Sequence, residues 1–234
     1  MNYIYDPDIG DDFLRWARIC ERVNLNSSSE LEELQEEIIK NKDAGLAYFF
    51  SCDFNYKLYK MQNIILEIKN PKYCFLFAKN IINADVKALQ NIILNSKNLK
   101  YITKLGCYVK NVNLKKIQTY LLKSNNIKYI YLFFKHHKNL NSKKFKKIIL
   151  ESGKPKYIYN LSKILKSKED LDLIEKLLIK SGNAMYIRLF AQHVKKKNLK
   201  KLENAIIKTG NMKEIKKFAK NIKSSTLNNF ILSF

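Results

Sequence analysis

Apolar residues recur along this chain at helical spacing, in two kinds of segment. In the first kind they fall at positions i, i+3 and i+4, as in Leu89, Ile92 and Ile93. In the second kind a tyrosine is followed four residues later by a large apolar residue and then by a small one, as in the segment that begins at Tyr73. Spacing of three and four places side chains on one face of an α-helix, whereas a strand would alternate apolar and polar residues. The pattern therefore predicts an all-α fold built from two kinds of helix.

The two kinds of helix alternate with a period of about 28 residues. Corresponding positions at the turn from the first to the second helix are separated by 27, 28, 28, 28, 29 and 28 residues. They hold Asn41, Ile68, Ser96, Ser124, Ser152, Ser181 and Thr209. A sustained period in this range is typical of stacked repeats, each of which buries its apolar face against its neighbours. We therefore expect a right-handed α-solenoid of about seven two-helix repeats.

The turns between paired helices carry residues with clear backbone preferences. Gly153, Gly182 and Gly210 are expected in the left-handed conformation that ends a helix, and Asn125 occupies the same place in another repeat. The next position is predicted to be the N-cap of the second helix. It holds Asn70, Asn98, Asn126, Lys154, Asn183 and Asn211. A matching N-cap column before the first helices holds Asp85, Asn113, Asn141, Asp170 and Asn198. We interpret these residues as caps and not as catalytic groups.

Both ends of the chain depart from the regular repeat. Residues 1–27 are predicted to form an acidic N-terminal cap with a degenerate half-repeat, in which Trp16 is a core residue. Ser29 and Glu32 have the spacing of a capping box for the helix that follows. The repeat array is expected to span 28–223, and a truncated helix to span 224–234. The apolar residues of that last helix leave the stack poorly capped, which favours a partner or homo-oligomer contact at this end.

Charge is distributed unevenly along the chain. Residues 1–55 hold 5 Lys and Arg against 12 Asp and Glu, whereas residues 56–234 hold 39 against 9. An AT-rich genome would explain many lysines, but it would not explain the scarcity of acids or the acidic first quarter. An excess of this size favours a polyanionic partner, either nucleic acid or an acidic protein.

The sequence gives little sign of secretion or of reactive chemistry. It contains no apolar run long enough to span a bilayer, and its acidic start is unlike a signal peptide. Its four cysteines lie far apart, which predicts reduced thiols in a cytoplasmic compartment. His136 and His137 are consecutive, so their side chains are expected to diverge on a helix. We find no motif for a catalytic nucleophile, a metal ion or a cofactor, and we expect none.

Lysine recurs at one position of each kind of helix. The second residue of the second helices is predicted to be Lys72, Lys100, Lys128, Lys156, Met185 and Lys213, and we call these lysines the second-helix column. In the first helices the same position is predicted to be Lys87, Lys115, Lys143, Asp172 and Lys200, and we call these lysines the first-helix column. A cation at a helix start opposes the helix dipole, yet nine of these eleven positions carry one. A helix start with free N–H groups and an added lysine can bind an anion, so the columns predict rows of phosphate contacts.

The sixth repeat interrupts both lysine columns. It carries Met185 and the acidic residues Glu169, Asp170, Asp172 and Glu175. A continuous track is therefore expected through repeats two to five. The alternative interpretation of the columns is a solvated surface on which lysine accumulated through codon bias.

Tyrosines beside the lysines allow two interpretations. Aromatic rings next to cations suit stacking on single-stranded bases, whereas tyrosine at helical spacing from Phe and Leu packs between repeats. We favour packing for Tyr73, Tyr101, Tyr129, Tyr157 and Tyr186. Tyr108, Tyr131 and Tyr159 lie outside that column and are freer to stack.

The repeat resembles HEAT-like repeats over nearly the whole chain, although 28 residues is short for that family. It is also similar to repeat proteins encoded by AT-rich phage and viral genomes. This resemblance implies a stacked-hairpin fold and no particular activity.

These patterns lead to one expected function and two alternatives. We expect a non-enzymatic protein that binds RNA or DNA through lysine–phosphate contacts with little dependence on base sequence, because lysine is repeated and not varied between repeats. The first alternative is a protein-binding scaffold, or a phage or viral inhibitor, that docks an acidic partner or a nucleic-acid-processing complex. HEAT-like solenoids also include DNA glycosylases, which use an Asp and aromatic residues in a cationic groove. The only tryptophan here, Trp16, is better interpreted as core.

Overall fold

The computed structural model describes residues 10–22, 27–54, 56–137, 142–194, 198–222 and 224–233. These residues form an all-α fold, with no strand in the described ranges. Even-numbered helices are the first helices of the predicted repeats, and odd-numbered helices are the second. The helices are α1 (Gly10–Cys20), α2 (Ser28–Asn41), α3 (Ala44–Asp53), α4 (Leu58–Ile68), α5 (Pro71–Asn80), α6 (Val86–Asn95), α7 (Leu99–Tyr108), α8 (Leu114–Ser124), α9 (Ile127–His136), α10 (Ser142–Glu151), α11 (Pro155–Ser162), α12 (Lys168–Ser181), α13 (Ala184–His193), α14 (Leu199–Lys208), α15 (Met212–Ile222) and α16 (Ser225–Leu232).

The chain divides into two compact units, Met1–Ser124 and Asn125–Phe234. In the first unit each odd-numbered helix packs on the next one, from α1 to α7, and α4 packs on both α2 and α6. In the second unit the odd-numbered helices follow the same order from α9 to α15, and α12 packs on α14. This order fits the predicted stack of hairpins within each unit. The right-handed superhelix and the predicted segments 1–27, 28–223 and 224–234 stay predictions.

Each unit buries the apolar faces that the spacing predicts. Leu89 and Ile93 of α6 are fully buried in the first unit, as are Ile174 and Leu178 of α12 in the second. Burying one such side chain contributes about 1.5–3 kcal/mol, so packing between helices stabilises each short helix more than its own propensity does.

The turns between paired helices share one left-handed residue. Gly153, Gly182 and Gly210 have φ of 66°, 63° and 66°, and Asn125 has φ of 49°, as the sequence predicts. The sequence did not indicate that lysines occupy the same conformation in earlier repeats. These are Lys42, Lys69 and Lys97, with φ of 48°, 57° and 57°.

The predicted caps are confirmed at most positions. The side chains of Asn70, Asn98, Asn183 and Asn211 accept backbone N–H groups at the starts of the second helices. Those of Asp85, Asn113 and Asn198 do so at the starts of first helices, whereas Asn141 lies outside the described residues. Asn126 and Lys154 also occupy the N-cap position.

Two predicted caps are wrong. Asp170 lies inside α12, which begins two residues earlier because Ser167 is its N-cap. The Asp170 carboxylate instead accepts a hydrogen bond from Lys146 Nζ at 2.8 Å. At the start of α2 the N-cap is Ser27, not Ser29, and Glu32 forms an ion pair with Lys57.

Glutamine and glutamate side chains link three of the first helices, α4, α6 and α12, to the start of the next repeat. Gln62 Oε1 accepts the N–H of Asp85 at 2.7 Å, and Gln90 Oε1 accepts that of Asn113 at 2.8 Å. Glu175 Oε2 accepts the N–H of Asn198 at 3.1 Å in the same way. Each donor lies 23 residues after its acceptor. The sequence carried this signal as polar residues at the repeat period, among them Gln35, Gln62, Gln90, Gln118 and Glu175.

The first helix belongs to the core of its unit. Trp16 is 2% exposed, stacks on Phe49 at 6.5 Å between ring centroids, and donates from Nε1 to Asp53 at 2.8 Å. Its predicted place in the core is therefore confirmed.

Within the described residues, each helix is too short or too polar to cross a lipid bilayer.

Candidate nucleic-acid interface

The structure places both lysine columns where the sequence predicts them. The second residues of α5, α7, α9, α11, α13 and α15 are Lys72, Lys100, Lys128, Lys156, Met185 and Lys213. The second residues of α6, α8, α10 and α14 are Lys87, Lys115, Lys143 and Lys200. In α12 the second residue is Glu169, and Asp172 is the fifth. The predicted alignment of Asp172 with the first-helix column is therefore wrong, because the longer α12 begins earlier.

Backbone N–H groups at several of these helix starts already have partners. Asn70 accepts from the N–H of Lys72 at 3.0 Å, and Asn98 accepts from that of Lys100 at 3.1 Å. A phosphate at these starts would therefore compete with the asparagine for N–H groups and would rely on the ammonium.

The start of α11 differs from these capped starts. Its N-cap is Lys154, whose side chain carries no acceptor, and Pro155 contributes no N–H. Lys156 follows, so two exposed ammonium groups flank one positive helix end. The start of α11 therefore offers an anion mainly the two ammonium groups, because no side-chain acceptor caps it and Pro155 supplies no N–H.

Lysines of the second-helix column lie over neighbouring rings. In four of the five lysines the Nζ sits above the tyrosine that follows it, at 4.4 to 5.9 Å from the ring centroid, whereas Lys213 is followed by Glu214. The four pairs are Lys72–Tyr73, Lys100–Tyr101, Lys128–Tyr129 and Lys156–Tyr157. Such a contact stabilises by about 0.5–1 kcal/mol at an exposed site, which is comparable with the cost of opposing the helix dipole. The pairs therefore give a reason for lysine at this position that needs no ligand.

The first-helix column has no such ring beside it in sequence. Lys87, Lys115, Lys143 and Lys200 are exposed. The residues that follow them are Ala88, Lys116, Lys144 and Lys201. A contact with the next side chain does not account for these lysines, so this column is the stronger sign of an anionic ligand.

The tyrosine column packs between neighbouring second helices. Tyr101 lies 6.1 Å from Phe75, and Tyr157 lies 5.6 Å from Tyr131, between ring centroids. Tyr159 and Tyr186 form a third pair at 5.8 Å. These contacts support the interpretation of the column as core.

The three tyrosines outside the column differ in their exposure to solvent. Tyr131 and Tyr159 are 9% and 4% exposed, so the expectation that they are free to stack on bases is wrong. Tyr108 is 57% exposed, and Lys79 Nζ lies 5.9 Å from the centre of its ring. It is the one of these three tyrosines that a base could reach.

The first lysine of the second-helix column is held by the acidic N-terminal segment. Lys72 Nζ lies 3.3 Å from a carboxylate oxygen of Asp12, and the Tyr73 hydroxyl donates to the same oxygen. A Cβ on Gly45 would lie 3.1 Å from Asp12, so the missing side chain makes room for this carboxylate. Burial and the Asp12 charge raise the pKa of Tyr73, which keeps its hydroxyl protonated and able to donate. Asp12 is therefore an anion already bound beside Lys72 and Tyr73.

Two of the cysteines and the two consecutive histidines can be placed in the fold. Burial raises the pKa of Cys107 to about 11 and that of Cys74 to about 12, which disfavours their thiolates at neutral pH. The rings of His136 and His137 lie 5.0 Å apart between centroids, so the expected divergence is wrong. The reason is that His137 follows the last residue of α9 and does not continue the helix.

No family model, curated protein or solved structure matches this chain.

Proposed function

We propose that this protein is a non-enzymatic, HEAT-like repeat protein that binds nucleic acid through phosphate contacts made by lysines at its helix starts. The observation that supports this best is the first-helix column, four exposed lysines at the second position of their helices. The helix dipole disfavours a cation there by about 0.3–1 kcal/mol, and a bound phosphate would reverse that penalty.

Phosphate contacts of this kind carry little base specificity. Lysine is a compact charge with no fixed donor geometry, and contacts to the backbone do not read bases. Burial of Tyr73, Tyr101, Tyr131 and Tyr159 removes these four rings from base stacking. We therefore expect an affinity that depends strongly on salt and weakly on sequence.

A salt titration tests the proposal directly. Binding is measured by fluorescence anisotropy with single-stranded and duplex RNA and DNA of equal length, from low to physiological salt. Each phosphate contact contributes about −0.9 to the log–log slope for B-DNA and about −0.7 for single strands, so several contacts give a slope of several units. Absence of binding at low salt to all four probes would overturn the proposal.

Charge reversal at three helix starts tests the position of the contacts. We expect the combined variant Lys87→Glu, Lys115→Glu and Lys143→Glu, which reverses three lysines of the first-helix column, to lose most of its polyanion binding. Its melting temperature should not fall, because each new carboxylate interacts favourably with a helix dipole. The matched control is Lys135→Glu, Lys216→Glu and Lys220→Glu, which changes the charge equally at exposed sites away from helix starts. An equal loss in both variants would show that only total charge matters.

An acidic protein partner is the second candidate, and one contact favours it. Asp12 shows that a protein carboxylate fits against Lys72 and Tyr73. Poly-glutamate added as a competitor distinguishes the two ligands. Displacement of nucleic acid at equal charge concentration would favour the protein partner, whereas displacement only at large excess would favour nucleic acid.

A further inference from the structure

A groove with a volume of about 430 Å³ lies between α12 and α14 in the second unit. Its lining residues are Glu175, Lys176, Ile179, Lys180, Lys201, Asn204, Ala205 and Lys208. We call it the α12–α14 groove. It falls in the repeat that the sequence identified as a break in both lysine columns.

Four lysines give the groove its charge. Lys176 and Lys180 stand one turn apart on α12, and Lys201 and Lys208 stand two turns apart on α14. All four are exposed. Within the described ranges, none of them forms an ion pair with an acidic side chain. Neighbouring helices pack about 10 Å apart, so cations on both walls repel one another until an anion lies between them.

Two acidic residues near the groove already have partners within the fold. Glu175 is 7% exposed, and its carboxylate accepts the N–H of Asn198, the linking role that Gln62 and Gln90 fill in other repeats. Asp170 accepts from Lys146. Asp170 and Glu175 therefore serve the fold, whereas the exposed Glu169 and Asp172 lie outside the lining of the groove. The lysines of the groove stay open to a ligand.

We propose that the α12–α14 groove binds the sugar–phosphate backbone of a nucleic acid strand. This inference rests on the proposed function and gives it a second place on the chain, where three of the four lysines lie beyond the first turn of their helix. Lysines on both walls contact phosphates, and the apolar surface of Ile179 and Ala205 faces the sugars. A charged groove that follows the backbone is the usual mode for single strands, so we expect single strands to bind there better than duplexes.

The test removes the charge of the groove without changing its shape. The groove variant combines Lys176→Gln, Lys180→Gln, Lys201→Gln and Lys208→Gln. The matched control combines Lys135→Gln, Lys166→Gln, Lys216→Gln and Lys220→Gln, all exposed lysines of the same unit outside the groove. With a single-stranded oligonucleotide, we expect the groove variant to lower the log–log salt slope by about 2–3 and the control to leave it within about 0.7 of the parent.

The outcomes separate this inference from the proposed function. If the parent chain binds no nucleic acid, both fail. If the parent binds and the groove variant behaves like the control, the groove inference is wrong while the proposed function stands. If poly-glutamate binds as tightly as the oligonucleotide and loses affinity equally in the groove variant, the groove is a site for acidic protein and the nucleic acid assignment is overturned.

Discussion

In the described residues, backbone strain is clearest at lysines that adopt a left-handed conformation in the turns between paired helices. Lys42, Lys69 and Lys97 adopt positive φ at the position where later repeats place glycine. A residue with a Cβ loses roughly 1–2 kcal/mol in this conformation, whereas glycine adopts it freely. The same turn geometry therefore has a higher conformational free energy in the repeats with lysine than in those with glycine.

We predict that Lys97→Gly stabilises the protein by about 0.5–1 kcal/mol, the relief of strain less the larger chain entropy of glycine when unfolded. Urea unfolding should show a higher midpoint with an unchanged slope. Lys97→Gln is the control, because it removes the same charge and keeps the strain. A gain of equal size in both variants would mean that charge and not backbone strain limits stability at this turn.

At the scale of single residues, the sequence predicts the caps and turn conformations that depend on neighbours a few residues away. The left-handed glycines and the cap at Asn98 follow from local rules that hold in most contexts. Asp170 was assigned wrongly because the period predicted a helix start there, whereas Ser167 begins α12 earlier. The pairing of Asp12 with Lys72 joins residues 60 positions apart, and no local pattern indicates it.

Neighbouring second helices are joined by one repeating pair of positions. Phe75–Tyr101, Tyr131–Tyr157 and Tyr159–Tyr186 are aromatic pairs, and between α13 and α15 the same positions hold Arg188 and Glu214. Arg188 Nε donates to Glu214 at 2.6 Å, and the two side chains are 13% and 11% exposed. The sequence period predicts that these residues face each other, but it does not show that an ion pair can replace two rings.

This ion pair makes stability depend on pH. The Arg188 hydrogen bond and charge hold the pKa of Glu214 below its ordinary value of 4.5. A carboxyl whose folded pKa is lowered stabilises the fold above the unfolded pKa, and that contribution is lost as pH falls through the folded pKa. We predict that Glu214→Gln lowers the free energy of unfolding by about 1–3 kcal/mol at pH 7.

The difference between parent and Glu214→Gln should shrink as the pH falls below 4.5, the ordinary carboxyl pKa, and through the lower folded pKa of Glu214. Urea unfolding at several pH values from 3 to 7 measures it. Glu203→Gln in α14 makes the same charge change in the same unit and serves as the control. A difference that stays constant across this pH range would show that the Glu214 charge does not stabilise the fold.

At the scale of the whole molecule, an acidic residue of the first quarter, Asp12, pairs with a lysine of the basic remainder, Lys72. The sequence predicts an acidic cap but cannot show which basic residue it contacts. In the first unit α1 packs on α3 through Trp16, and Asp12 then reaches Lys72 and Tyr73 of α5. A lysine of the proposed binding surface is therefore neutralised from within the chain.

We predict that Asp12→Asn binds single-stranded nucleic acid up to about fivefold more tightly than the parent, because releasing an ion pair of this exposure frees up to about 1 kcal/mol. The salt slope should rise by up to about 0.7, one additional phosphate contact. Deleting residues 1–27 would also remove Trp16 and expose Phe49, so the point variant is the sharper experiment. Asp11→Asn makes the same charge change at a neighbouring exposed residue and is the matched control.

If both variants gain affinity equally, net charge alone sets the affinity. If Asp12→Asn binds more weakly while its melting temperature is unchanged, the Asp12 contact organises the surface that holds the strand and does not compete with it.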